Sequence, residues 1–368
     1  MVIEIRSYFY LSFFLLLPLT AVHAQTNPID SLQPGRWYEV PNSHLASVAP
    51  SGWSANVIAA WSSAAFDTKR ARLIVWGGGH GDYSGNEIYA FDVNTLAWQR
   101  LTNPSNPPGV DAPYAPDGNP TSRHTYNYIQ YIPAPVDRFC SFGGSAFYSS
   151  GQSGTNHVDC FNFEASRWET QKFADSPVNG FTGSITAYDP VTRHVWQHGT
   201  TGKGILSELN PAANRWILRQ TPSHNDEWYG YSTTAEIDPV RRKLIAVGGG
   251  AVWSWDITRT GTILGKKLNT TGDTAMVGVS CPGFVYDPTI DQFVAWSGGA
   301  DVYTLNMDTL VWTRVSPASG NTTTPTAATP TGTFGRFRYI PSKNAYIAVS
   351  NINENVFVYK LSSGGGSR

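Results

Sequence analysis

Charge is scarce in this 368-residue chain: Asp, Glu, Lys and Arg together make up 14% of it, and the formal net charge is −1. It therefore offers neither a basic surface for nucleic acid nor an acidic tail. Cysteine is rarer still, with three residues and no CxxC spacing, so the usual signature of a zinc module is missing. There is no serine nucleophile elbow and no phosphate-cradling glycine loop. The run Gly77-Gly78-Gly79-His80-Gly81 follows one strand-like segment and leads into another, which is not the setting of a dinucleotide motif. Beyond the first two dozen residues no apolar run is long enough to span a bilayer, so stable membrane insertion is not expected.

That first stretch reads as an export address. Arg6 lies in a short polar region, Tyr8 to Thr20 is apolar, and Val22-His23-Ala24 supplies the small residues that signal peptidase inspects. Residues 1–24 are expected to be a signal peptide cleaved after Ala24, which makes the mature protein secreted or periplasmic. The apolar run is too short for a membrane anchor and contains Pro18.

What is plentiful points to short strands. Glycine numbers 35, proline 24, and aromatic residues reach 13%. This mixture suits many strands joined by tight turns, and so many aromatics can bury a core, which argues against disorder.

The same four-part sentence then recurs six times. In its clearest copy a strand expected over Asn56 to Phe66 ends in a turn at Asp67 to Arg70. A second strand, Arg72 to Trp76, runs into Gly77-Gly78-Gly79. A third spans Glu87 to Asp92, and a fourth begins at Leu96 and carries Trp98. Later copies place turns at Pro133, Asp189, Asp238, Asp287 and Pro341, and open the fourth strand with Trp168, Trp216 and Trp312; the copy around Lys267 has no such Trp. Four antiparallel strands per unit make a propeller blade. Glycine ends the second strand where the backbone turns sharply, and Trp fills the widening wedge between blades.

The double glycine, the aromatic third strand and the fourth-strand Trp, repeated at roughly 50 to 65 residues, resemble the kelch motif of the galactose oxidase-like β-propellers. The resemblance covers nearly all of the mature chain and implies an all-β, six-bladed, kelch-like β-propeller. Such propellers include enzymes and pure binders, so it says little about function. The last copy lacks a fourth strand, and Gly35 to Val40, with Trp37, supplies one, so the mature N-terminal strand is expected to close the last blade and hide an edge. Residues 25–362 then form a single propeller domain and 363–368 a flexible tail. On this register Cys140 and Cys160 lie on the second and third strands of one blade, either disulfide-bonded or as two buried thiols. Cys281, on a first strand, reads as a small buried hydrophobe.

Loops leading into first strands and loops between second and third strands emerge on one face of a propeller, and histidines collect there: His80, His124, His198 and His224. With them come Asp82, Tyr83, Asn86, Arg123, Tyr126, Trp228, Tyr229, Arg336 and Arg338. Aromatic platforms beside His, Asp and Arg suit a carbohydrate or small-acid ligand. His80, His124, Tyr126 and Arg336 have the residue types for β-elimination of a uronic acid, with a His or Tyr base and an Arg neutralising the carboxylate. Asp82, Tyr83, Asn86, Arg123, His198, His224, Trp228 and Tyr229 are the expected ligand-binding set. The arrangement looks like that of propeller-type polysaccharide lyases in residue types only. The copper set of galactose oxidase, two His, two Tyr and a Tyr-linked Cys, cannot be placed.

The expected function is an exported propeller that binds and, if catalytic, modifies a polysaccharide or small sugar acid as a lyase or epimerase. The alternatives are a protein-interaction scaffold, or a mutarotase like the periplasmic six-bladed kelch proteins that act on sialic acid. The sequence names no cofactor, no metal and no oligomeric state.

Overall fold

The structure, a computed structural model, describes residues 1, 2, 4, 26–148, 153–178, 183–199, 204–220 and 230–363. The expected signal segment and the tail fall almost wholly outside these residues, as do His224, Trp228 and Tyr229. Six sheets follow one another along the chain, each built around an antiparallel meander. The first holds Ser63–Asp67, Arg72–Trp76, Tyr89–Asp92 and Ala97–Arg100; the third and fourth repeat that order, the second and fifth add Arg123–His124 and Thr271–Gly272, and the sixth takes its outer strand from Arg36–Glu39. The innermost strands touch in a closed cycle. Ser63–Asp67 meets Ile129–Ile132, then Ile185–Tyr188, Thr234–Asp238, Gly283–Asp287 and Phe337–Ile340 follow, and the last returns to Ser63–Asp67. This is a six-bladed β-propeller. Among the described residues no helix is long and apolar enough to cross a membrane.

Burial falls from axis to rim. The inner strand Ser63–Asp67 is buried at every position, whereas in the outer strands Ala97–Arg100 and Val311–Val315 only the Trp is buried. Successive residues of an inner strand face opposite wedges: Ala64 and Phe66 pack toward the last blade, Ala65 toward the second. As a result the apolar core is divided into six wedges, one between each neighbouring pair of blades.

The outer-strand Trp residues fill these wedges against the preceding blade. Trp168 lies 4.9 Å from Trp76 and Trp37 lies 5.9 Å from Trp296, centroid to centroid. The fourth blade, whose outer strand Lys266–Leu268 lacks a Trp, is packed instead by Trp255 from its third strand together with Trp196 of the third blade.

Strand Arg36–Glu39 pairs antiparallel with Phe357–Lys360, Trp37 opposite Tyr359, so both ends of the described fold share the sixth sheet. Trp37 donates its indole N–H to the Ala300 carbonyl at 2.8 Å. On the turn side, Asp67, Asp189, Asp238 and Asp287 each accept backbone N–H groups through Oδ1 and so fix the first hairpin of their blade.

Two expectations need amending. The strand expected from Asn56 begins only at Ser63, because Asn56–Ala59 forms a helical turn and Trp61, at φ +47°, swings the chain toward the axis. Cys140 and Cys160, opposite each other on adjacent strands, are disulfide-bonded, which resolves the two readings left open; Cys281 is free and buried, just ahead of its strand. The bridge closes a loop with a sequence separation of 20. Its removal by a double Cys→Ala substitution is expected to cost about 3 kcal/mol, read as a lower urea midpoint. An unchanged midpoint would mean that the bridge contributes nothing.

Candidate functional site

The segments that lead into the inner strands are bonded to one another across blades at one mouth of the axis. Tyr126 N–H donates to Trp61 O, Cys281 N–H to Ser232 O, Thr333 N–H to Cys281 O, and Gly335 N–H to the Ser63 hydroxyl. Trp61, Tyr126, Cys281 and Phe334 hold φ between +39° and +49° at equivalent places in four blades. Each costs on the order of 1 kcal/mol in this left-handed region, and the repeated strain marks a mouth whose shape is held by its surroundings. Tyr126, Tyr128, Cys281 and Phe334, with Trp61, form a separate apolar cluster there. Burial pushes the Cys281 thiol up to about 12, so it is not a thiolate nucleophile.

His80, Asp82 and His124 converge on the rim of this mouth. The first two sit on a tight turn between the second and third strands of the first blade, closed by Tyr83 N–H to Gly78 O and Asp82 N–H to Gly79 O. His124 comes from Arg123–His124, which leads into the second blade and pairs with Ser145. Gly79 makes the meeting feasible: a Cβ there would lie 2.4 Å from Arg123 Cα and from the Ser122 carbonyl oxygen. His124 Nε2 lies 2.7 Å from Asp82 Oδ2, and its ring centroid is 4.9 Å from both His80 and Trp61 and 5.9 Å from Tyr126, edge on.

His124 is almost fully buried, His80 is half-buried and Asp82 is exposed. Burial pulls the His124 pKa down to about 4 against the opposing pull of Asp82, so the ring is neutral at physiological pH. Burial raises the Tyr126 hydroxyl above the ordinary phenol range, so it stays protonated at neutral pH. The metal-ligating atoms of His80, Asp82 and His124 all lie within 4.8 Å of one another.

The other expected residues lie elsewhere. Arg336 is wholly buried and donates to the carbonyls of Ser62, Val349 and Gly332 and to the Thr329 hydroxyl, so it cannot meet a ligand carboxylate. Arg123 is equally buried, paired with Asp159 beneath the mouth, where it positions its neighbour His124. Tyr83 donates to Glu87, and Asn86 binds Ser105 and the Pro120 carbonyl; both serve the packing of loops. His198 is buried beside Trp255. Arg338 pairs with Glu236 at 2.9 Å in a cavity of about 280 Å³ toward the opposite mouth, lined by Tyr131, Tyr188, Tyr286 and Tyr339. Trp61 was missed because its segment read as continuous strand; it packs against His124.

The long leading segments are packed down. In 103–122, the Tyr114 hydroxyl donates to Asp159, and in 317–332 the Asn321 side chain accepts from Trp37 N–H.

Fold and site together define a six-bladed β-propeller with a polar cluster at one end of its axis. No protein-family model matches the chain, and no curated protein matches it. Solved structures do. A Bacteroides thetaiotaomicron protein of unknown function is similar at a TM-score of 0.54 and 10% identity, over 88% of this chain and 75% of that one. An auxiliary nutrient binding protein from Bacteroides ovatus reaches a TM-score of 0.50 and 11% identity, over 80% and 68%. A fungal alcohol oxidase of the AA5 family in complex with copper reaches 0.44 and 11%, over 80% and 72%. The likeness is one of fold.

Proposed function

We propose that the protein is an exported propeller that binds a carbohydrate or uronic acid at the mouth carrying His80, Asp82 and His124. The supporting observation is their convergence, from two blades, on a rim walled by Trp61 and Tyr126. Imidazole and carboxylate satisfy hydroxyl donors and acceptors, and the half-buried Trp61 offers an apolar face to a sugar ring. Elimination would need a cation beside the substrate carboxylate, and Arg123 and Arg336 are committed to internal partners. The reading is therefore one of binding first. The intrablade disulfide supports export, since such bonds persist in oxidising compartments.

His80→Ala is expected to weaken glycan binding by about tenfold or more, equivalent to about 1.4 kcal/mol, with the melting temperature almost unchanged. A glycan array followed by titration of the best ligand measures this. Binding by the variant equal to that of the native protein would sink the assignment. Ultraviolet absorbance of unsaturated uronate separates a lyase from a binder.

A further inference from the structure

We infer that His80, Asp82 and His124 form a metal site for one divalent first-row transition ion, of the kind zinc represents, with outward coordination positions free for a ligand hydroxyl or carboxylate. The inference rests on the same reading of this mouth as a ligand site, but its test uses the metal alone.

Geometry carries it. The three ligand atoms lie within 4.8 Å of one another. Around a tetrahedral ion with bonds of about 2.1 Å, ligand atoms sit roughly 3.4 Å apart. Asp82 and His124 are already closer than that, at 2.7 Å, and the half-buried His80 side chain can swing through the remaining distance of at most roughly 1.4 Å. His80 and Asp82 come from one turn, separated by the single residue Gly81 at φ +95°, while His124 comes from the neighbouring blade. Two rigid elements thus meet at the ion, and the ligands do not depend on one flexible loop.

The donor set selects the class of ion. Two imidazole nitrogens and one carboxylate favour zinc, copper, nickel or iron over calcium and magnesium, which prefer oxygen throughout. Three protein ligands are the composition of an open site, with at least one position left for substrate or water. The supporting layer is also present. His124 is held between Trp61 and His80 with the edge of Tyr126 against it. Among the described residues Asp82 has no ion partner other than His124, so its charge is free to meet a cation. An ion here would also supply the positive charge for a uronate that Arg123 and Arg336 cannot.

Untagged protein, stripped with chelator and dialysed, is titrated with zinc chloride by calorimetry, with calcium chloride as the control. One equivalent of zinc is expected, with a dissociation constant of about 10 µM or tighter, and no heat from calcium beyond dilution. His80→Ala and Asp82→Asn, at a half-buried and an exposed position, are expected to weaken zinc binding by about tenfold to a hundredfold while folding normally. His124→Ala should abolish it, but this ring is buried, and the first two variants decide the matter if that one fails to fold. No uptake tighter than about 100 µM, or native-like uptake by both of the first two variants, overturns the metal site. Zinc uptake without glycan binding leaves the metal site standing and removes the carbohydrate reading; glycan binding by stripped protein that takes up no zinc does the reverse.

Discussion

Arg336→Ala is expected to lower the free energy of unfolding by about 3–5 kcal/mol, with loss of any ligand binding following only from unfolding. The guanidinium is fully buried, and burial draws its pKa down to about 9, so at neutral pH it is still a cation. It bridges Ser62 of the first blade to Gly332 and Val349 of the last. Alanine would leave those carbonyls buried and unpaired, at about 1–3 kcal/mol each before relaxation, and would add a cavity. Arg336→Lys should recover little, since one ammonium cannot span acceptors arranged around a planar fork. Urea unfolding measures the loss. A change below about 1 kcal/mol would show that the side chain is dispensable to the fold.

Trp37→Ala should cost a comparable 3–5 kcal/mol, about the usual loss for a buried Trp. Its indole lies against Trp296 and Tyr359 and donates to Ala300, so one side chain joins the N-terminal strand to both the fifth and sixth blades. Trp37→Phe keeps part of the wedge filled and should lose less, chiefly the indole hydrogen bond. The midpoint of chemical unfolding distinguishes the two. If alanine and phenylalanine were equally mild, the N-terminal strand would be ornamental to the ring.

The propeller was legible in the sequence because its determinants are local and repeated. A strand buried on both faces shows as an apolar run such as Leu73-Ile74-Val75-Trp76, and each hairpin carries Asp or Pro at its turn. Even the exception at Lys267 was visible, although its remedy, Trp255 turning into the same wedge, was not.

The site was legible only in part. His80, Asp82, His124 and Tyr126 could be placed on one face from blade topology alone. Burial could not: Arg123, Arg336 and His198 stand in the same leading segments and loops, yet their side chains point into the fold, where Asp159 and backbone carbonyls receive the two arginines. Which way a polar side chain turns depends in part on distant partners, Asp159 for Arg123 and Ser62 for Arg336, and no local spacing encodes that. Trp61 was hidden for a related reason, since a run that reads as strand bends through a left-handed residue before the ladder begins.

The pairing of Arg36–Glu39 with Phe357–Lys360 has a mechanical consequence. Arg36 stands opposite Lys360, so the chain enters and leaves the ladder at the same end. A force pulling the two ends apart would load those pairs one after another, like a zipper, instead of shearing them together. The seam that shuts the ring is thus the place where tension would first open it, with the other five blades still intact.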